Sequence, residues 1–307
     1  MENLTHCLAG WQIGQLSPFR GVGPRAGLVG LVAANLPDLD VLLYAWDRDV
    51  ATWQHRGLTH SIFGLPLLAL SGAALSRRWL GTGRFRDHLA LWSAGLLSHS
   101  LMDWPTTWGT QLLWPLSDQR FDGALVFIID PMFWILLGVA PWLLVWALGW
   151  SRANAATLAL LSVAGWYAAA AGLKELATSR APEPVIATPA PLAPWQWTGV
   201  TPDVPADPER RRYFLTPLAA EPAGRFRALD TDTRALLSRH HAVERDLWMR
   251  VAPAVHHDEV TPRGREVAVV DLAYTSWLTP DHFRFGCTYV LDDAGALLDR
   301  NAAPIGP

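Results

Sequence analysis

Hydrophobic and polar positions follow two regimes along the chain. Up to about residue 180, apolar residues come in long runs over 26–46, 62–80, 89–104, 124–150 and 153–173. Runs of that length with few charges predict helices that cross a bilayer, for which about 20 residues are needed. A shorter run over 4–16 carries His6, Gln12 and Gln15 and stops at Ser17-Pro18, so it is a weak spanning segment. The pattern predicts a mainly α fold: a polytopic helical membrane domain of five to six segments over 1–178. Residues 179–208 hold eight prolines in thirty, too many for helix or central strand, and are expected to be a stiff linker. Beyond it, 231–250 has helical spacing of Leu236, Leu237, Val243 and Leu247, while 266–274 and 284–291 alternate as strands do. Residues 209–307 are therefore expected to form a small soluble α+β domain.

Composition supports that division. Charged residues make up 17% of the chain, below the roughly 25% of soluble domains. The sparse part is the first: 12 basic and 11 acidic residues over 1–180, against 13 and 17 over 181–307. Seventeen tryptophans suit membrane interfaces, and a net charge of −3 gives no attraction for nucleic acid. Cys7 and Cys287 lie in different regions, so neither a disulfide framework nor a thiolate metal site is expected. Met1-Glu2-Asn3 lacks the basic start of a secretory leader, so insertion is expected to rely on the internal segments.

If all six segments cross, the connections around Arg20/Arg25, Arg77 to Arg86 and Arg152 share one side and hold seven basic residues. The opposite connections hold Arg48, Arg56, Arg120 and Lys174. The positive-inside rule puts the first group in the cytoplasm and the C-terminal domain on the extracytoplasmic side of the inner membrane. The same alternation gathers eight candidate metal ligands at the outer face: His6, Asp38, Asp40, His55, His60, His99, Asp103 and Asp130. His55 and His60 are five apart, so their rings converge only if the chain bends between them, and Gly57 permits a bend. His99 and Asp103 share one helical face.

Carboxylates at one membrane depth repel one another, and each costs about 2.5–3.5 kcal/mol at a helix centre. A divalent cation resolves both problems. Imidazole with carboxylate and without thiolate suits zinc, as one or two ions, ahead of manganese or magnesium. Each residue also has a plainer reading. Asp130 before Pro131 reads equally as a helix N-cap, Asp38 as a cap or solvated end, His99 with Asp103 as a packing pair, and His6 as a solvated histidine. Arg56 is a candidate for a phosphate oxygen or for a lipid-headgroup contact. His240-His241 and His256-His257 are expected to be solvated residues of the soluble domain.

The ordered set Thr5-His6, Pro37-Asp38-Leu39-Asp40, His55-Arg56-Gly57-Leu58-Thr59-His60-Ser61, Ser98-His99-Ser100-Leu101-Met102-Asp103, Gly109-Thr110-Gln111, Trp114-Pro115 and Ile129-Asp130-Pro131 resembles the YdjM/YfhP-type membrane-bound metal-dependent hydrolases. It covers roughly residues 1–150. That family is held to be distantly similar to zinc-dependent phospholipase C. The resemblance implies metal ligands at His6, Asp38, Asp40, His55, His60, His99 and Asp103, with Asp130 a further candidate; it names no substrate. The expected activity is metal-dependent hydrolysis of a phosphoester in a lipid or lipid-linked substrate at the outer face. Asp40 or Asp38 would bridge two ions, and Asp40 and Arg56 are the expected catalytic residues. The alternative is a non-catalytic membrane protein with a structural metal and a tail that binds an unknown protein partner.

Overall fold

The computed structural model describes residues 1–45, 55–202, 207–240, 243–244, 247, 252–274 and 286–301. Arg48, His241 and Arg284, and the expected segment ends at residues 46 and 250, lie outside them. The chain divides into two units, 1–170 and 171–307.

The first unit is helical: α1 Asn3–Gln15, α2 Ala26–Asn35, a 3₁₀ stretch Leu36–Ala45, a 3₁₀ turn Leu58–His60, α3 Gly64–Leu80, α4 Phe85–Asp103, α5 Pro131–Leu148 and the start of α6 Arg152–Thr178. Glu2 caps α1 by accepting from the Thr5 amide at 2.7 Å, and it also accepts from Trp134 Nε1 at 2.8 Å. The start of α1 is thereby tied to α5. Further along, α1 and α2 approach so closely that a Cβ on Gly10 would lie 2.3 Å from the Gly30 carbonyl oxygen. Helix α5 contains a π-helical turn, Ile135–Val139, and the Gln12 side chain donates to the Leu137 carbonyl within it at 2.7 Å.

Helices α3 and α4 run in opposite senses between two unlike ends. At one end, Arg77 and Arg78 close α3 and Arg84 caps α4. Thr82 in that turn donates to the Val22 carbonyl at 2.8 Å, which brings the connection bearing Arg20 alongside. At the other end α4 finishes with His99 and Asp103, about 25 Å away at 1.5 Å rise per residue.

The expectation of five to six membrane segments is corrected here. Among the described residues only Pro131–Leu148 and Arg152–Thr178 are long and apolar enough to cross a membrane. Pro37 ends the regular helix in 26–46, leaving α2 only ten residues long. Helix α4 fails through its own polar residues, Arg86, Asp87, His88, His99 and Asp103, and α3 stops at 17 residues with two arginines.

The second unit is also larger in strand than the expected small α+β domain. Eight strands form one antiparallel sheet in sequence order: β1 Ile186–Ala190, β2 Ala193–Val200, β3 Glu209–Leu215, β4 Ala220–Ala228, β5 Pro253–Thr261, β6 Gly264–Asp271, β7 Gly286–Leu291 and β8 Leu297–Asn301. Helix α7, Thr231–Leu237, is capped by Asp230, and Leu237, Val243 and Leu247 pack on Val255, Val267, Val269, Tyr289 and Leu291. Strands β1 and β2 fall inside the stretch read as a proline linker. Proline fits there because β1 is the edge strand and Pro194 precedes the part of β2 that pairs with β3. Pro191 sits in the hairpin connection.

Candidate metal centre

Four elements of the helical unit converge on one buried cluster. The close α1–α2 contact lays His6 against α4, where its ring stacks on His99 with centroids 3.8 Å apart. The 3₁₀ stretch after α2 supplies Asp38 and Asp40. Residues two apart on such a turn point about 120° apart, so Asp38 faces His60 and His99 while Asp40 faces His55. The segment before α3 supplies His55 and His60, and the last turn of α4 supplies His99 and Asp103. His60, His99 and Asp103 are wholly buried.

The bend between the two histidines is made differently from the sequence reading. Arg56, not Gly57, carries the left-handed conformation, with φ 65° against −92°. Its amide donates to Asp40 Oδ2 at 3.1 Å, and its carbonyl accepts from the Gln111 amide at 2.9 Å.

His60 and His99 turn their Nε2 atoms to each other at 2.8 Å. The partners of their other nitrogens define what those atoms carry. His99 Nδ1 lies 2.6 Å from the Ala34 carbonyl, an acceptor only, so Nδ1 holds the proton. Thr59 Oγ1 donates to Asp40 Oδ2 at 2.9 Å and accepts from His60 Nδ1 at 2.9 Å, so that ring is protonated at Nδ1 too. Two neutral rings held this way point lone pairs at each other. Asp38 Oδ1 and Asp103 Oδ2 stand at 3.4 Å from His99 Nε2, and at 3.6 and 3.4 Å from His60 Nε2. Metal–ligand bonds of 2.0–2.1 Å give tetrahedral edges of about 3.3 Å, so these four atoms fit the coordination shell of one small cation. The set Asp38, His60, His99 and Asp103 can hold a metal ion. Asp38, Asp40 and His55 form a second such group, so Asp38 belongs to both.

A proton can meet the same need as a cation. Burial alone would lower the His99 pKa, but the Asp103 and Asp38 carboxylates outweigh it and push it up to about 9, so without a metal ion His99 Nε2 carries a proton toward His60 at neutral pH. Burial, with His99 alongside, holds His6 down at about 3. Burial pushes Asp103 up, yet Arg56, the Met1 amino group and His99 hold it well below the usual carboxylate range. The pocket stabilises positive charge at its centre.

Other expected residues fall into plainer roles. Asp130 caps α5, accepting from the Met132 amide and from Trp166 Nε1, both at 2.9 Å, and belongs to neither metal group. His6 Nε2 lies 3.4 Å from Asp103 Oδ1, and neither of its ring nitrogens meets a hydrogen-bond partner in good geometry among the described residues. The Arg56 guanidinium pairs with Asp103 at 3.2 Å and donates to Thr106 Oγ1 and the Gly109 carbonyl. The Met1 amino group also contacts Asp103. Sequence reasoning missed Thr59 and Arg120; the latter donates to the His55 carbonyl at 3.0 Å and so fixes that turn. Thr59 stands inside the seven-residue motif, where its position was the available signal; Arg120 carried none.

The family model for the YdjM inner membrane protein matches residues 1–175, which takes in the whole cluster. The chain is 36% identical over 147 residues to the inner membrane protein YbcI of Escherichia coli (strain K12), covering 46% of this chain and 78% of that protein. It is 28% identical over 152 residues to the uncharacterized protein YfhP of Bacillus subtilis (strain 168), covering 46% of each. No solved structure matches, and the more distant likeness to zinc-dependent phospholipase C has no counterpart among these relatives. The His/Asp motifs, the buried cluster they build and the match over more than half the chain lead to one assignment: this chain belongs to the YdjM inner membrane protein family.

Proposed function

We propose that this protein is a metal-dependent hydrolase of the inner membrane, acting on a phosphoester in a lipid or lipid-linked molecule. The observation that carries the reading is the facing pair of His60 and His99 Nε2 atoms at 2.8 Å, flanked by two carboxylates, with Asp38 shared by a second group. Zinc suits the donor set, imidazole and carboxylate without thiolate. Zinc bound there supplies a Lewis acid and makes a water molecule acidic enough to attack near neutral pH. The remaining work belongs to the chain. Ala34 and Thr59 hold the two imidazoles in the tautomer that leaves Nε2 free, as outer partners do in metal sites. Asp40 orients His55 through the 2.8 Å contact at Nδ1, and Arg56 holds Asp103. His55 and Asp40 line the less buried side, where a substrate oxygen could be met.

The complete burial of His60, His99 and Asp103 favours a second reading, a structural metal, because structural zinc sites are closed. One experiment separates them. Purified protein is measured for bound metal and for cleavage of a small soluble phosphodiester, beside His60→Ala. Hydrolysis that disappears with the metal and with His60→Ala supports the enzyme. Bound metal without any turnover supports the structural role, and protein without metal ends both.

A further inference from the structure

We propose that an apolar groove beside the metal centre is the subsite for the hydrocarbon chain of a membrane amphiphile; the assignment rests on the phosphoesterase reading only for what happens at the amphiphile's polar end. The groove has a volume of about 350 Å³ and is walled by Leu101, Met102 and Trp104 of α4 and the residue following it, Leu125, and Leu160 and Tyr167 of α6. That size lies within the range of small-molecule pockets. That volume is less than one turn of a helix from a second copy occupies, roughly 400–600 Å³ at 10–12 Å across and 5.4 Å pitch.

Three observations place an apolar chain beside the metal centre. Met102 and Trp104 flank Asp103, and Ala9 in the groove wall lies three residues along α1 from His6, so groove and cluster are built from neighbouring residues of the same two helices. The Tyr167 ring lines the groove, while its hydroxyl is closed off from the groove space and has the Asp103 and Asp130 carboxylates as electrostatic neighbours. Finally, the α6 wall belongs to one of the two helices apolar enough to cross a membrane, and Leu101 and Trp104 stand exposed at the mouth. The groove is therefore entered from the hydrocarbon phase. The groove wall carries no charged residue, which disfavours a water-soluble ionic occupant.

The test uses the full chain in phosphatidylglycerol vesicles doped with a phospholipid bearing a diazirine in its acyl chain. After photolysis, adducts are mapped by mass spectrometry. Adducts concentrated on the peptides carrying Leu101, Trp104 and Leu160 are expected. Ala164→Trp fills the groove from an exposed position outside the cluster, and should lower them at least fivefold with bound metal unchanged. Leu101→Glu at the mouth should do the same, which guards against a folding defect in either variant. Adducts spread evenly over the outer faces of α5 and α6, unaffected by both substitutions, overturn the proposal, as does cross-linking of two copies through this face. Focused labelling in a protein that cleaves no phosphoester removes the hydrolase reading and leaves the groove. Cleavage of a small soluble phosphodiester with scattered labelling does the reverse.

Discussion

The helical unit and the sheet unit place charge in opposite ways. In the sheet unit, Asp258 is met by a fork from Arg265 at 2.8 and 2.9 Å and by Arg227 at 2.7 Å, all near the surface. Its charge is balanced by side chains of its own unit. In the helical unit Asp38, Asp40 and Asp103 sit together with Arg56 and the Met1 amino group as their cationic neighbours, and with imidazoles whose free nitrogens face inward. In this unit part of the balancing charge comes from a titratable imidazole, His99, at a position that could instead hold a metal ion. The difference marks which half of the molecule has a place for an exchangeable cation.

Metal removal should break the comparison most sharply. Chelation is expected to lower the melting temperature of the helical unit by about 10 °C or more, since metal binding and folding are linked, and to leave the sheet transition in place. Calorimetry with and without chelator checks this; a uniform shift of both units would remove the contrast. Next in size, Arg56→Met leaves Asp103 without its guanidinium while keeping much of the volume. Breaking a buried pair in this way costs about 3–5 kcal/mol, read by chemical denaturation. Thr59→Val removes the hydroxyl between Asp40 and His60 and should weaken metal affinity about 10- to 100-fold, measured by competition with a chelating dye. The smallest effect belongs to the sheet unit. Arg265 first, and then Arg227, hold the Asp258 pKa down at about 2, below its ordinary value of 3.8. Its contribution is present above pH 3.8 and is lost as pH falls through about 2. With both arginines more than a third exposed, Arg265→Gln should remove less than about 1 kcal/mol of that acid resistance.

The cluster was more legible in the sequence than the architecture around it. Asp38, Asp40, His55, His60, His99 and Asp103 stand out because ionisable residues are scarce over 1–180, and the structure brings these six together. Asp130 stands out for the same reason, but Pro131 beside it signalled a cap, and a cap is what it makes. Segment counting failed because runs of apolar residues do not reveal where a proline or a change of helix type interrupts them; Leu36–Ala45 is apolar yet 3₁₀. Proline density misled in the other half. It excludes central strands, but β1 lies at an edge, a property that pairing decides and sequence spacing does not. The bend at Arg56 was unreadable for a similar reason. Glycine is the expected residue for a positive φ, whereas here hydrogen bonds to Asp40 and Gln111 hold an arginine in that conformation.

Asp38 serves two groups at once, and this makes the occupancy of the two positions interdependent. An ion in the deeper position, among His60, His99 and Asp103, would orient the shared carboxylate and leave its other oxygen turned toward Asp40 and His55. If both positions take an ion, loading is expected to be stepwise: one equivalent taken up tightly, the next weaker and absent when the first is blocked. Asp38→Asn would then affect both steps together, whereas His55→Ala would erase the second alone.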